Sequence, residues 1–320
     1  MFLTLLSGLP GAVELGLVMS LMVLGVFISF RVLDFADLTV DGSFVTGGAV
    51  VATGIVAGLP PLVATLLGFV AGCLAGTVTG LLNTVGHINP LLAGILTQTA
   101  LYSINLAIIG KANVSLYGKT TLLTGLYPYF GTWISVGVLA AVVAVFWLVV
   151  TWFLGTNVGL GMQAAGDNET MARAQGTASK GMIVAGLAIA NGLVALSGGV
   201  FTQYAGYVDI QMGIGTIVAG LASVILGQAI FGSRPVWRGA LAAVLGSILY
   251  RVVIQIALGL GLNPNYMKLI SALLVIAALL LPRLPVFQRL ARARHEREIA
   301  KQVLADDLSR VTGGQAVANG

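Results

Sequence analysis

The stretch "GLGMQAAGDNETMARAQG", Gly159 to Gly176, separates two long apolar runs and carries amides, charges and four glycines in an otherwise hydrophobic chain. Helix propensity is good across "LGMQAA", Gly166 can act as a left-handed stop, and Asp167 or Asn168 can cap a second helix that continues through "ETMARAQ" to Gly176. Two short polar helices joined at a glycine are therefore predicted. Neither is long or apolar enough to span a membrane, and neither has the one-sided face of a surface anchor.

The surroundings of this insert set the fold class. The chain has 320 residues, 58% of them hydrophobic and 8% charged, with a mean hydropathy of +0.99. Such a composition cannot coat a soluble globule of that size with polar groups. Runs of ~20 apolar residues, enough to cross ~30 Å of hydrocarbon as a helix, fall at about 12–30, 42–58, 61–82, 90–110, 132–154, 181–204, 213–232, 237–261 and 266–282. The expectation is an all-α polytopic membrane protein with about 8–10 transmembrane helices: one integral domain over 1–283, then a basic tail over 284–320 whose end is disordered. Turn chemistry marks the breaks at "GLPP" 58–61, "GHINP" 86–90, "LYPYFG" 126–131, "GSRPVWRG" 232–239 and "GLNPN" 261–265. The first run lacks the basic flank and cleavage site of a secretory signal and is expected to be retained.

Charge orients the spans. If the tail "RLPVFQRLARARHEREIAK" at 283–301 is cytoplasmic, alternation gathers Arg31, Arg173, Lys180, Arg234 and Arg238 on its side and leaves Lys111, Lys119 and Lys268 on the other. The net charge of +5 then belongs to a tail lying on anionic lipid, with no nucleic acid implied. The segments "FADLTVDGSF" at 35–44 and "YVDIQMGIGT" at 207–216 share a pattern and fall on opposite sides, as inverted repeats would.

Several chemistries are excluded. "NVSLYGKTT" at 113–121 ends like a phosphate-binding loop, but Asn113 stands where the first glycine is needed and no strand precedes it. The histidines, His87 and His295, give no triad and no metal cluster, and the single cysteine, Cys73, sits in the small-residue run "LGFVAGCLAGTVTG" as a packing residue. The glycines themselves, 43 in all, read first as surfaces that let helices approach closely.

Polar residues inside spans mark candidate solute contacts. Gln98, Tyr102 and Asn105 form one helical stripe, and Ser247, Arg251 and Gln255 another. Arg251 either pairs with a helix end, a carbonyl or a carboxylate such as Glu14, or touches a solute carboxylate or gate. Asn191, Gln203 and Gln228 read as interhelical glue.

The insert also resembles the cytoplasmic coupling loop of ATP-binding-cassette importer permeases, through Gly159, Gln163, Ala164, Gly166, Asn168, Ala172, Arg173 and Gly176. The similarity is to the branched-chain amino acid and monosaccharide permease superfamily. "DLTVDGSF" at 37–44 and "GLLNTVGHINPLLAGILTQTALYS" at 80–103 resemble further superfamily elements, and "GGVFTQYAGYVDIQMGIGTIVAGLASVILGQ" at 198–228 resembles its tryptophan/tyrosine importer branch. Gln163 stands where many relatives have Arg, so the resemblance implies that a charge-assisted contact to the ATPase is replaced by a neutral one.

The resemblance implies a type II importer-like permease that is not itself an enzyme, in the bacterial cytoplasmic membrane. Its expected partners are an ATPase subunit dimer, an extracytoplasmic solute-binding protein and a second copy of the permease. ATP and magnesium would sit on the ATPase, and no cofactor on this chain. An aromatic or other amino acid is the first solute expected, with a nucleoside or sugar as alternatives. An ion-gradient-driven secondary transporter is the alternative mechanism.

Overall fold

The computed structural model describes residues 2–260 together with 269, 271–273 and 276, with side chains from residue 8 onward. The predicted basic tail lies outside the described residues, as does nearly all of the span expected at 266–282. The described chain is helical apart from two three-residue strands. Helix α1 (Phe2–Val26) runs into a π-helical turn (Phe27–Val32) and is followed by α2 (Thr39–Val56), α3 (Pro61–Thr84) and α4 (Pro90–Ile109). Strand β1 (Asn113–Ser115) and a 3-10 turn (Tyr127–Tyr129) lead to α5 (Trp133–Leu154). The polar insert forms α6 (Asn157–Asp167) and α7 (Glu169–Ala174), and α8 (Ser179–Ala205), β2 (Tyr207–Asp209), α9 (Thr216–Phe231) and α10 (Val236–Gly259) complete the bundle.

Among the described residues, seven helices are long and apolar enough to cross a membrane. The exception among the predicted spans is 213–232, which contains only the 16-residue α9. At 1.5 Å per residue α9 covers ~24 Å, short of a full crossing. Its missing length is supplied by irregular chain, because 207–215 first pairs with β1 and then turns inward before the helix begins. Such backbone is tolerated at membrane depth only when it is buried in protein or lines a water-filled cavity; here Val208 and Ile210 are buried, while Ile214 and Gly215 are exposed.

A similar arrangement precedes α2. The π-turn holds the end of α1 through Leu33 N–H to the Ile28 carbonyl (3.0 Å) and Phe35 N–H to the Ser29 carbonyl (2.9 Å). The chain then bends back so that α2 starts beside Asn191, near the centre of α8: Asn191 Nδ2 donates to Asp37 Oδ2 (2.6 Å), and Ser43 Oγ donates to Asn191 Oδ1 (2.7 Å). The two echoing segments also share a turn. Thr39 N–H bonds Asp37 Oδ1 at 2.9 Å, and Gln211 N–H bonds Asp209 Oδ1 at 2.7 Å. One aspartate thus starts each broken element, and Asp41 in the first turn of α2 bonds the first turn of α9.

Small residues decide how closely the central helices pack. A Cβ at Gly47 would fall on the Ala195 backbone, and one at Gly198 on the Phe44 carbonyl, so α2 and α8 touch main chain to main chain. Gly227 against Ala242 and Gly246 against Ser223 do the same for α9 and α10. Around them Phe27, Phe44, Met22, Leu24 and Leu187 are fully buried. Helices α3, α4 and α5 instead leave apolar rows outward, such as Leu62, Leu66, Val70 and Leu74 on α3, as lipid or another apolar surface requires.

Gly47→Ala and Gly198→Ala are each expected to destabilise the bundle by ~1–3 kcal/mol through overpacking. Gly137→Ala on α5, where a Cβ meets nothing within 4 Å, serves as the neutral control. Thermal unfolding in detergent followed by size-exclusion reads the difference.

Candidate functional site

The insert is seated, not loose. Thr156 caps α6, its hydroxyl accepting from Gly159 N–H at 3.4 Å. Asn168 caps α7 by accepting from Met171 N–H at 3.0 Å. Gly176 takes the left-handed conformation (φ 85°) that ends the element. Met162, Ala165 and Ala172 are buried, and α6 packs on α8, α5 and the π-turn. Sequence reasoning names Ala172 only through the resemblance and misses Met162 and Ala165, although the spacing of the three along the two short helices is the inward face of an amphipathic pair.

Two of the sequence expectations for the insert change. Gly166 does not stop α6, which continues to Asp167; its value is the absent side chain, since a Cβ there would fall on the Val32 carbonyl and the Leu33 backbone. Gln163 does not extend outward. Its Nε2 donates to the Leu154 carbonyl at 2.8 Å and to the Gly159 carbonyl at 3.3 Å, tying α6 to the end of α5. Gly159 is crowded against Phe153 and Leu154. Ala164, Asn168 and Arg173 remain exposed, with Arg173 paired to Glu169 on the same helix. Leu160 and Met171 stand 53% and 60% exposed on the outer face, as large apolar groups on an otherwise polar element.

Gln98, Tyr102 and Asn105 come together as expected on one face of α4. With Asp41, Gly42 and Val45 of α2 and with Ile210, Gly213 and Ile214 they line a cavity of about 400 Å³. Asn105 is buried and its Nδ2 donates to the Gly42 carbonyl at 3.2 Å. From the sequence, Asp41 is only a residue near a span end. Its carboxylate spans the two halves, with Oδ1 accepting from Thr216 Oγ1 (2.9 Å) and Ile217 N–H (2.8 Å) and Oδ2 from Gly215 N–H (2.9 Å). It caps α9 from the wall of the cavity.

Arg251 and Gln255 are not part of that cavity. Their helix face meets α1, where Ser247 Oγ donates to the Gly16 carbonyl (2.8 Å) and Gln255 lies against Gly8. Glu14 is fully buried and engaged elsewhere, accepting from Gly131 N–H (2.8 Å), Tyr204 Oη (3.1 Å) and Ser135 Oγ. The glue residues behave unequally. Asn191 bridges three elements, and Gln203 bonds Thr65 Oγ1 and Leu122 N–H (2.9 Å each). The Gln228 amide nitrogen has no partner among the described residues. The 113–121 segment forms β1 and a following turn at the end of the bundle opposite the insert, with Val114 paired to Val208.

A tyrosine transport system permease protein of Clostridioides difficile (strain R20291) is 39% identical over 275 residues, 86% of this chain and 91% of its own length. The ribose import permease protein of Bacillus subtilis (strain 168) is 26% identical over 256 residues, 77% of this chain and 76% of its own. The D-allose transport system permease protein of Escherichia coli (strain K12) is 27% identical over 252 residues, 78% and 75%. No solved structure matches significantly. The profile of the branched-chain amino acid transport system permease component family matches residues 11–279, and with that coverage the chain belongs to this family of multi-pass transport permeases.

Proposed function

We propose that this chain is the transmembrane permease subunit of an ATP-binding-cassette importer, driven by a separate ATPase dimer and fed by an extracytoplasmic solute-binding protein. It works as a pair of identical copies in the bacterial cytoplasmic membrane, with the insert and the basic tail on the cytoplasmic side. The solute is an amino acid, aromatic in the first instance, in line with what the 39% identical permease is named for. The chain itself holds no nucleotide or metal; ATP and magnesium belong to the ATPase.

The observation that carries this reading is the two-faced insert. Its inner side rests backbone to backbone on the end of α1 at Gly166, and its outer side offers Leu160 and Met171 to something else. From Val32 and Leu33 the same short connection continues to Asp37 and then Asp41 on the cavity wall. Movement of the insert therefore displaces the strap that holds the start of α2 and, through Asp41, the start of α9. Alternating access needs such a mechanical link between an external energy source and a central site. An ion-gradient mechanism would instead need a carboxylate free to exchange protons or sodium along the path. Glu14 and Asp37 are held by structural donors, and Asp41, the carboxylate on the cavity wall, is committed to three donors at the start of α9, which disfavours it.

Replacing Gly166 and residues 168–172 by a flexible linker is expected to abolish co-purification of the ATPase, and retention of the ATPase would remove the coupling role. Gly166→Leu separates docking from transmission. The ATPase should still bind, while uptake into proteoliposomes falls about tenfold or more, the scale of a ~1–3 kcal/mol misfit.

A further inference from the structure

The 400 Å³ cavity is one-sided in charge. Its lining contains one carboxylate, Asp41, and no basic residue. Asn105 is 1% exposed, and with its Nδ2 given to the Gly42 carbonyl its Oδ1 is left buried with no donor among the described residues. An acceptor in that position is costly unless a ligand or water donates to it. The Gly42 carbonyl cannot share the duty, since it already receives Thr46 Oγ1 (2.9 Å) and Asn105 Nδ2. Asp41 has capacity to spare: Oδ1 receives two donors, but Oδ2 receives only Gly215 N–H, leaving one lone-pair direction open. The N-terminus of α9 would ordinarily invite an anion, but Asp41 already occupies it. Val45, Ile210 and Ile214 give part of the remaining wall an apolar character, and Thr99 and Ser103 add hydroxyls to it.

We infer that this cavity is a subsite for the ammonium group of a cationic or zwitterionic solute, with Asn105 Oδ1 and Asp41 Oδ2 as its acceptors and Gln98 and Tyr102 at its mouth. The assignment rests on the reading of this cavity as part of the solute path. An ammonium offers three donors to the two open acceptors, Asn105 Oδ1 and Asp41 Oδ2, and a charge opposite to the only charge in the lining. A carboxylate or phosphate placed here would face Asp41 with no cation to offset it.

The test uses the full-length chain in lipid nanodiscs without any ATPase. Cys73→Ser removes the single native thiol, and Tyr102→Cys, at a position 49% exposed, supplies a reporter for a water-soluble maleimide. L-tyrosine and tyramine at ~10 times their half-protecting concentration are expected to slow labelling about tenfold, because the rate follows the unoccupied fraction of the site. The amine-free analogue 3-(4-hydroxyphenyl)propionate should not protect. Asn105→Asp, which keeps an acceptor in place and gives up only the donor to the Gly42 carbonyl, should retain protection, whereas Asn105→Leu should lose it. Equal protection by the amine-free acid, undiminished protection in Asn105→Leu, protection by none of the three, or failure of the reagent to label the Tyr102→Cys variant at all would each overturn the subsite. Failure of the importer reading is read separately: protection without ATP-driven uptake removes the importer, and ATP-driven uptake without protection removes the subsite.

Discussion

A helix that begins inside a membrane protein presents its first backbone N–H groups where no water can reach them. In this chain α9 begins beside the cavity, and the carboxylate of Asp41 answers two of its backbone donors together with the Thr216 hydroxyl. The geometry of the centre follows from this contact. It fixes the first turn of α2 against the first turn of α9, two elements far apart in sequence, and it leaves a hollow beside them bounded by α4. A negative side chain at a helix N-terminus is favourable anywhere, and more so in a medium that offers no competing donors. Asp37 and Asn191 brace the other side of the same junction, so the strap from 33 to 41 is anchored at both ends of its carboxylate pair.

Much of this was legible in the sequence, for identifiable reasons. Hydrophobic runs located the long helices because lipid demands ~20 apolar residues and tolerates few alternatives. The stripe of Gln98, Tyr102 and Asn105 was legible because helical periodicity alone places those residues on one face, and the cavity has them there. The same periodicity grouped Ser247, Arg251 and Gln255 but could not say which neighbour the stripe meets, and α1 meets it. Apolar content made 213–232 look like a complete span. The break before Thr216 depends on Asp41 and on pairing with β1, both distant in sequence. The echo between 35–44 and 207–216 carried the real information there, because each copy uses its aspartate in the same two-residue turn.

The insert illustrates how a glycine can be identified for one reason and used for another. Gly166 attracts attention as a helix terminator, yet the helix passes through it, and what matters is that the main chain just after α1 lies where a side chain would be. Gln163 likewise looks outward-facing in a polar segment and is spent on the carbonyls that end α5. An insert fastened by backbone contact and by end-capping amides transmits displacement with little slack, since packed interiors have low compressibility. Residues free for recognition are then the ones that local structure does not need, and Val158, Leu160 and Met171 are the large apolar ones.

The short antiparallel ladder at the far end has its own effect on what can move. Val114 against Val208, flanked by Leu116 N–H to the Gly206 carbonyl (2.8 Å) and Ile210 N–H to the Ala112 carbonyl (3.1 Å), buckles the α4–α5 connection to the α8–α9 connection. Gln203 and Tyr127 add a second fastening between α8 and the stretch before α5. The rim on that side is consequently riveted at two places, so the two connections cannot part from each other without giving up these hydrogen bonds.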